Sequence, residues 1–460
     1  MYNIDFNHPV HVHFIGIGGI SMSGLAHILR EKNFTVSGSD SAESKLTDEL
    51  TKVGCKIVYS QTAANITDDI DLVVYTAAIK QTNEELCAAR AHNIPTITRA
   101  ELLGAIMHNY RVAINVAGTH GKTTTTSMVS EILLSGKCDP TISLGGILDS
   151  IGGNIRVGKS NVFVTEACEY TNSFLSFLPT INVILNVKED HLDFFKDLAD
   201  IRHSFKLFTE RLPEDGTLIV NSDIEDYEYF YQDKNCEVIT VGRDPKKSKY
   251  SAADITFDQH ACPSYTLLVD GKPSGKITLN VPGEHNVYNS LAAVAVGFKL
   301  DLPLATIVDG LKNFTGTERR FQIKGNMNGV TIVDDYAHHP DEIEATLQSA
   351  SHLDHKTLWT IFQPHTYSRT LKLMDRFAEA LSKSDKVILA DIYASRETDT
   401  LGISSADLQK KIQELGKECY YFKSFEEIEN FSKKNCINGD LLITMGAGDV
   451  YKVGEALLNQ

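Results

Sequence analysis

The sequence of 460 residues lacks the features that define several classes of protein. Its eight cysteines include no C-x-x-C pair and show no metal-ligand spacing, so we expect a reducing compartment and neither a zinc site nor a disulfide scaffold. No apolar run is long enough to span a bilayer, and the N-terminal segment has no apolar signal region. We therefore predict a cytoplasmic protein without membrane insertion.

Positive charge is also scarce in this chain. The sequence has 44 Lys and Arg against 60 Asp and Glu, which gives a formal net charge of −16. This balance argues against nucleic acid or an anionic membrane as the main partner. Any anionic ligand must therefore be held by local Lys, Arg and backbone N–H groups that act against the overall field.

Short β-branched runs followed by Gly or Asp and then by helical patterns recur along the chain. This order predicts βαβ units and therefore an α/β protein with parallel sheets. In the first third, the pattern predicts strands at 11–15, 34–38 and 72–75, with helices at 22–30 and 47–53 between them. In the last third, it predicts strands within GVTIVDDYA, TLWTIF, KVILADIY and DLLITM.

The length suits about three domains of roughly 150 residues each. We predict a Rossmann-like domain at 1–107, a central P-loop-type ATPase α/β domain at 108–313 and a second Rossmann-like α/β domain at 314–460. Near the end of the central domain, SYTLLVD and KITLNV flank a Gly-Lys-Pro-Ser-Gly segment. This arrangement predicts a hairpin whose turn is the glycine-bounded segment.

A glycine turn opens the predicted central domain with Gly118, Thr119, His120, Gly121, Lys122, Thr123 and Thr124. Glycines at a helix start let backbone N–H groups converge on phosphate oxygens. Lys122 is suited to neutralise phosphate charge, and the Thr123 hydroxyl is suited to Mg²⁺. The turn departs from the standard P-loop because Val116 stands where that motif has its first glycine. The residues nevertheless predict a nucleoside triphosphate site.

Polar side chains follow the next strands of the predicted central sheet. Glu166 ends one strand, and Asn186, Asp190 and His191 follow another. Parallel sheets bind ligands at the carboxyl ends of their strands, so Glu166 and His191 are candidate ligands of a divalent cation near the phosphates. A histidine ligand suits Mn²⁺ somewhat better than Mg²⁺. Helix caps at the strand ends are the alternative interpretation.

The N-terminal segment contains a second glycine turn that is similar to a dinucleotide-binding fingerprint. Gly16, Gly18 and Gly19 follow the first strand, but Ser21 stands where the third glycine is expected, and Asp40 ends the second strand. With another nucleotide site at 118–124, a plain nicotinamide dehydrogenase is disfavoured. The turn instead predicts a site for a nucleotide diphosphate at the start of the helix near Ser21, with Asp40 as a ribose or base partner.

Taken in order, segments along essentially the whole chain resemble those of the Mur ligase superfamily. They are HFIGIGGISMSGLA, GTHGKTTTT, TEACEY, NVKEDHLD, GEHNVYNSLAA, TERRFQ, DDYAHHPDEI, FQPHTYSRT and DIYASRE. The resemblance is closest to members that join L-alanine to the lactyl carboxylate of UDP-N-acetylmuramate through an acyl phosphate in peptidoglycan synthesis. It implies ATP as co-substrate, Mg²⁺ or Mn²⁺ as the metal, and a monomer or weak homodimer.

The resemblance also assigns roles residue by residue. It implies that residues 118–124 hold the ATP phosphates and that Thr123, Glu166 and His191 bind the metal. It implies contacts to the UDP-sugar from Gly16, Gly18, Gly19, Ser21 and Asp40. The remaining implied contacts are His285, Asn286 and Asn289 to adenine, Arg319 or Arg320 and Asp335 to the ribose and phosphates, and His365 and Arg369 to L-alanine and the muramate carboxylate.

One segment departs from the family pattern, and one lysine matches a feature of sister ligases. After Glu166, the family stretch is rich in acids and serine, whereas Cys168, Tyr170 and Thr171 replace three of those residues here. Local negative charge is therefore reduced while the metal ligand is retained. Lys206, 15 residues after His191, lies close to where several sister ligases carry a carbamylated lysine that contacts metal, and an ordinary surface lysine of a helix is the alternative interpretation.

Three alternative functions are weighed against an alanine-adding ligase. A recycling ligase that attaches a murein tripeptide to the same sugar nucleotide shares the N-terminal turn, whereas a folylpolyglutamate synthase is disfavoured by it. A protein of another class, a nucleotide-dependent switch that binds or hydrolyses ATP without ligation, would need no UDP-sugar.

Overall fold

The structure is a computed structural model that describes residues 2–76, 78–395, 397–399 and 401–459. The chain divides into two compact units. The first comprises Met1–Asp190, Asp197–Ser248 and Ala292–Ile307. The second comprises His191–Lys196, Lys249–Leu291 and Val308–Gln460.

The first unit begins with a parallel five-stranded sheet in the order β3-β2-β1-β4-β5. Its elements are β1 His11–Ile15, α1 Ile20–Glu31, β2 Thr35–Ser39, α2 Lys45–Lys52, β3 Lys56–Val58, β4 Leu72–Tyr75, α3 Glu84–Ala91, β5 Thr96–Thr98 and α4 Arg99–Met107. The predicted strands at 11–15 and 72–75 are confirmed. Helix α2 begins earlier than predicted because Ser44 forms a capping box with Thr47.

The first unit continues with strands in the order β12-β11-β10-β6-β9-β7-β8, of which only the β7–β8 pair is antiparallel. Its elements are β6 Val112–Ala117, α5 Lys122–Ser135, β7 Thr141–Leu148, β8 Gly153–Arg156, β9 Val162–Ala167, β10 Ile181–Ile184, α6 Leu198–Glu210, β11 Thr217–Asn221 and β12 Glu237–Val241. Strand β6 is buried at nearly every position, as expected for a central parallel strand. The strand order changes direction at β6, which is where such sheets bind ligands.

The second unit contains an antiparallel meander that corrects the predicted hairpin turn. Its strands are β13 Tyr250–Phe257, β14 Pro263–Val269 and β15 Lys272–Thr278. The turn is Asp270–Gly271, with φ of 49° and 71°, so both residues are left-handed as a two-residue type I′ turn requires. Lys272–Gly275, predicted as the turn, forms the beginning of β15. Helices α7 His285–Lys299 and α8 Leu304–Asn313 follow in the chain.

The rest of the second unit is a six-stranded sheet in the order β16-β17-β21-β18-β19-β20, antiparallel only between β16 and β17. Its elements are β16 Gln322–Met327, β17 Val330–Asp335, α9 Pro340–Ala350, β18 Leu358–Phe362, α10 Tyr367–Lys372, α11 Met374–Leu381, β19 Lys386–Leu389, α12 Ser405–Glu414, β20 Glu418–Tyr421, α13 Phe425–Asn435, β21 Leu441–Met445 and α14 Tyr451–Leu458. The four predicted strands are confirmed. The edge strands β16 and β20 were not predicted, because their mixed polar sequences lack the continuous apolar run of a central strand.

Side chains of the last sheet alternate between two buried clusters, one on each face. Val333, Phe362 and Ile443 pack with Phe377 in one cluster. Their chain neighbours Ile332, Ile361 and Leu442 pack with Trp359 in the other. The α/β class with parallel sheets is thus confirmed. Among the described residues, no helix combines the length and the apolar character needed to cross a membrane.

Candidate active site

The central glycine turn lies between β6 and α5 and has the backbone of a phosphate cradle. Gly118 has φ of 147°, and Gly121, which precedes the helix, has φ of 83°. Both values lie where side chains are strained, and a Cβ on Gly118 would approach Cβ of Leu185 to 2.9 Å. The first N–H groups of α5 have no partner inside the helix, so they are directed at the turn.

The turn is fixed in place by the segment after β10. Asn186 Oδ1 accepts from the N–H of His120 at 2.8 Å, and Asn186 Nδ2 donates to the His120 carbonyl at 3.0 Å. The Thr119 hydroxyl accepts from the N–H of Lys188 at 2.9 Å. Asn186 was noticed in the sequence only as a strand-end residue, and the structure shows that its side chain holds the backbone of the turn.

Lys122 uses all three of its ammonium hydrogens inside the site. Its Nζ donates to the carbonyls of Gly118 at 2.6 Å and Thr119 at 3.1 Å. It also forms an ion pair with Glu169, at 3.0 Å to Oε2. Burial is the largest single effect and favours the neutral amine, but the surrounding acidic groups, Glu169 first among them, together outweigh it and raise the pKa of Lys122 above its ordinary value. Lys122 is therefore positively charged at physiological pH.

Thr123 and Glu166 form an oxygen cluster suited to a hard divalent cation. The Thr123 hydroxyl donates to Glu166 Oε2 at 2.9 Å, and Glu166 Oε1 accepts from the N–H of Gly145 at 2.5 Å. A Cβ on Gly145 would lie 3.0 Å from Glu166 Oε2, so glycine there leaves room beside the carboxylate. A hydroxyl and a carboxylate are ligands that Mg²⁺ prefers, so these residues fit the ion.

His191 belongs to the second unit, where its backbone is left-handed with φ of 51°. Its carbonyl accepts from the N–H groups of Phe194 and Phe195, each at 2.9 Å. These bonds fix the backbone of His191 in a tight turn. Its predicted role as a metal ligand stays a prediction.

Lys206 lies on α6 in the first unit. Its Nζ pairs with Asp233 Oδ2 at 2.6 Å and lies 4.9 Å from the ring centroid of Tyr229. The hydrogen bond to Asp233 raises the pKa of Lys206. Carbamylation requires the neutral amine, so this environment favours the ordinary lysine over the carbamylated form.

The N-terminal turn directs three consecutive N–H groups inward rather than toward a ligand. Those of Gly16 and Ile17 donate to the Ser39 carbonyl at 2.8 and 3.0 Å. The N–H of Gly18 donates to Asp40 Oδ2 at 2.7 Å. The donors left for a diphosphate are the N–H groups in the first turn of α1, which begins at Ile20 and includes Ser21.

A buried polar network lies beneath this turn, and the sequence analysis missed it. The fully buried Glu85 accepts from Ser39 Oγ at 2.6 Å and from Asn65 Nδ2 at 2.7 Å. The nearest nitrogen of His13 lies 3.4 Å away, and the other ring nitrogen contacts Ser37 Oγ at 2.9 Å. The signal in the sequence is the polar residues in strands β1 and β2, at positions where a buried strand is usually apolar.

In the second unit, the structure separates the roles of Arg319 and Arg320. The guanidinium of Arg319 donates to Asp334 at 2.9 Å and to the Gly446 carbonyl at 2.7 Å. It also stacks near Tyr336 and Tyr451, at 4.9 and 4.6 Å from the ring centroids. Arg319 therefore joins β17 to the loop after β21. Arg320 is the better candidate for a phosphate contact.

Asp335 is buried at the end of β17. Its two oxygens accept from the N–H groups of Phe321 and Ala337, each at 2.7 Å. Burial raises the pKa of Asp335 to about 6, and the nearby Arg320 and the two hydrogen bonds only partly oppose this effect. The carboxylate is therefore mostly ionised at neutral pH and is able to accept hydroxyl hydrogen bonds.

The predicted adenine residues lie together at the start of α7. Asn289 Nδ2 donates to Asn286 Oδ1 at 2.9 Å, and Asn286 Nδ2 donates to the Pro282 carbonyl at 2.7 Å. Gly283 has φ of 98°, and a Cβ there would approach the His285 ring to 2.6 Å. The glycine thus allows His285 to fold back over the helix start.

The residues predicted to bind the amino acid also lie together in the second unit. Arg369 Nη1 lies 3.3 Å from His365 Nδ1. The His365 ring stacks on Tyr393 with centroids 5.7 Å apart and lies 5.9 Å from the ring of His338. This row of rings with one guanidinium can hold a small carboxylate. Arg396, in the neighbouring DIYASRE segment, lies outside the described residues.

Comparison with known proteins identifies the family. Sequence models described as the Mur ligase family catalytic domain, middle domain and glutamate ligase domain match residues 11–111, 116–297 and 319–448. A UDP-N-acetylmuramate–L-alanine ligase from Lachnospira eligens is 68% identical over 458 residues, which is 100% of both chains. The chain belongs to the Mur ligase family.

Other members resemble this Mur ligase over its full length. A UDP-N-acetylmuramate–L-alanine ligase from Agathobacter rectalis is 57% identical, again over 100% of both chains. The crystal structure of the UDP-N-acetylmuramate-alanine ligase from Thermotoga maritima aligns with a TM-score of 0.80 at 30% identity, covering 98% of each chain. A murein peptide ligase from Psychrobacter arcticus has the same fold, with a TM-score of 0.70, 24% identity and 98% coverage of each chain.

Exchange of Lys206 tests carbamylation in this Mur ligase. Lys206→Arg keeps the charge opposite Asp233 but does not form a carbamate, so we expect ligation activity within about twofold of the parent. Steady-state phosphate release measures this. A large loss in Lys206→Arg, together with rescue of Lys206→Ala by short carboxylates, would instead establish the carbamylated form.

Asp335 generates a pH dependence of stability. Its pKa in the folded protein, about 6, lies above the ordinary value of 3.8. The protonated carboxyl therefore stabilises the fold fully below about pH 4, and this contribution, about 3 kcal/mol, is lost as the pH rises through about 6. Between about pH 5 and 7.5, the parent should lose about 1 kcal/mol relative to Asp335→Asn.

Thermal unfolding of both proteins at the two pH values checks this prediction. The hydrogen bond lost in the variant shifts its Tm by an offset that does not depend on pH, so only the change in the Tm difference counts. An equal Tm difference at both pH values would contradict the raised pKa.

Proposed function

We propose that this Mur ligase is an ATP-dependent enzyme that joins L-alanine to the lactyl carboxylate of UDP-N-acetylmuramate, releasing ADP and inorganic phosphate. This step adds the first amino acid of the peptidoglycan stem peptide. The observation that carries the proposal is the 68% identity, over the full length of both chains, to a UDP-N-acetylmuramate–L-alanine ligase. The phosphate cradle with Lys122, Thr123 and Glu166 supports the ATP-dependent chemistry.

The reaction has to overcome the low reactivity of a carboxylate. A lactyl oxygen attacks the γ-phosphorus of ATP, the bond to the β-phosphate oxygen breaks and ADP leaves, which forms an acyl phosphate. The neutral amine of L-alanine then attacks the acyl carbon, inorganic phosphate leaves and a proton is lost from nitrogen. The acyl phosphate has to be kept from water, so we propose that the domains at 1–107, 108–313 and 314–460 close around the substrates.

The central turn supplies the stabilisation of phosphate charge. Lys122 and the N–H groups at the start of α5 bind the β- and γ-phosphate oxygens, with Gly118 and Gly121 allowing their close approach. Thr119, His120 and Thr124 complete this loop. Thr123 and Glu166 would hold Mg²⁺, or Mn²⁺, with His191 as a further ligand. When bound, the cation offsets charge on the transferring phosphoryl group.

The remaining residues bind the other parts of the substrates. The first turn of α1, with Ser21, receives the diphosphate of the sugar nucleotide, and Asp40 receives its ribose or base, while Gly16, Gly18 and Gly19 shape the turn. Asn286, Asn289 and His285 bind adenine. Arg320 and Asp335 bind the ribose and phosphates of ATP, and Arg319 acts as a structural support. His365 and Arg369 position L-alanine and the muramate carboxylate.

We also propose a cytoplasmic location and a monomer or weak homodimer. The sugar nucleotide and ATP are both cytoplasmic metabolites, so an enzyme that consumes them works in that compartment. Size-exclusion chromatography with light scattering measures the association state.

Phosphate release with defined co-substrates tests the proposed function. We expect release that requires ATP, UDP-N-acetylmuramate and L-alanine together, and a ligated product whose mass equals the sugar nucleotide plus L-alanine less one water. Preference for L-Ala-γ-D-Glu-diaminopimelate over L-alanine would instead identify a recycling ligase. Phosphate release that needs neither co-substrate would identify a nucleotide-dependent switch.

Lys122→Ala should lower kcat by about 10²- to 10³-fold, because a preorganised cation at a site that excludes water is lost. The matched control is Lys159→Ala, since Lys159 is an exposed lysine in the same unit and away from the turn. The control should stay within about twofold of the parent. Near-normal ligation by Lys122→Ala in the same assay would show that the phosphates bind elsewhere.

A further inference from the structure

Glu169 is a nearly fully buried acid to which neither the sequence analysis nor the comparisons assign a role. It follows β9 and is 2% exposed. Its carboxylate pairs with Lys122, with Oε2 at 3.0 Å and Oε1 at 3.4 Å from Nζ. The two residues are 47 positions apart in the sequence, so the fold and not the local chain brings them together.

The ion pair with Glu169 engages the Lys122 ammonium group, to which the phosphates are proposed to bind. Lys122 has three ammonium hydrogens, and its acceptors are the carbonyls of Gly118 and Thr119 and the Glu169 carboxylate. A phosphate oxygen that binds Nζ must therefore displace one of these acceptors or share its hydrogen. The two carbonyls belong to the backbone of the turn, whereas the carboxylate belongs to a side chain, so it is the acceptor that can be exchanged without a change in the turn.

The neighbouring carboxylate of Glu166 is engaged differently. It accepts from the Thr123 hydroxyl and the Gly145 N–H, at 2.9 and 2.5 Å. The two acids of the TEACEY segment thus have separate partners, Glu166 on the side of the metal ligand Thr123 and Glu169 on Lys122. Cys168, between them, replaces the aspartate of the family pattern. Glu169 therefore has one carboxylate fewer beside it that could compete for the Lys122 ammonium group.

We propose that Glu169 is an internal anion that competes with the nucleotide phosphates for Lys122 and thereby sets the affinity for ATP and ADP. Without nucleotide, Glu169 balances the partly buried ammonium charge and holds the lysine on the turn. When phosphates arrive, Lys122 exchanges the carboxylate for phosphate oxygens. After the reaction, return of Lys122 to Glu169 assists release of ADP. This inference rests on the proposed binding of ATP at the central turn.

The test is the affinity for ADP of the full-length protein without divalent cations, measured by isothermal titration calorimetry in the presence of EDTA. Glu169→Gln keeps the size of the side chain and removes its charge, so we expect ADP to bind about three- to tenfold more tightly than to the parent. Glu169→Asp keeps the charge but withdraws it by one methylene, so it should give an intermediate affinity and provides a second variant.

A double-mutant cycle separates competition for Lys122 from a general effect of charge. In a Lys122→Gln background, the additional Glu169→Gln change should alter ADP affinity by less than about twofold, because the ammonium group for which Glu169 and ADP compete is absent. An equal gain in both backgrounds would show only long-range repulsion and would overturn the proposal. Weaker or unchanged ADP binding by Glu169→Gln in the parent background would overturn it as well.

The outcomes also distinguish this inference from the proposed function. If the parent binds ADP and Glu169→Gln binds it no more tightly, the role of Glu169 is wrong while the nucleotide site stands. If the parent protein does not bind ADP or ATP at all, the proposed function is wrong and the inference is wrong with it. Slower ADP release by Glu169→Gln in stopped-flow measurements would support the exchange step directly.

Discussion

The compensation of one partly buried ammonium charge is the constraint on which the central site depends. In the proposed function Lys122 binds phosphates, yet burial of its charge is unfavourable unless an anion lies close. The fold provides Glu169 and two carbonyls of the turn for this purpose. The same arrangement raises the pKa of Lys122, so the cation is present before any nucleotide arrives. The glycines with positive φ and the clamp by Asn186 hold those carbonyls in place.

An overall charge of −16 makes this local compensation more important, because the field of the whole protein opposes every anionic ligand. Both glycine turns provide donors that act at short range, which are backbone N–H groups and, in the central turn, Lys122. In both turns, a carboxylate of the protein also contacts the site: Asp40 accepts from the N–H of Gly18, and Glu169 accepts from Lys122. A carboxylate in that position preorganises the donors around negative charge. The cost is that one donor is engaged before the ligand binds.

The sequence predicted the elements whose signals are local. Strands β1 and β4, the glycine turn at 118–121 and the strand-end position of Glu166 depend on short patterns and were predicted correctly. The pairing of Lys122 with Glu169 and the network below Ser39 join residues far apart in the chain, so no spacing rule reveals them. The hairpin turn was misplaced because Asp270–Gly271 stands beside another glycine and a proline, and composition alone favoured the longer segment.

The different contacts of Arg319 and Arg320 show that a family motif can indicate which segment has a role without indicating which of its residues has it. The two arginines are adjacent and chemically identical, but the backbone of Arg319 is left-handed with φ of 60°. In that conformation its guanidinium donates to Asp334 and to the Gly446 carbonyl, so two partners within the chain already engage it. Arg320 lies next to the buried Asp335, whose raised pKa reflects an incompletely compensated carboxylate. Arg320 and Asp335 therefore place one cation and one hydrogen-bond acceptor near the end of β17, while the Arg319 guanidinium there is engaged by Asp334 and Gly446.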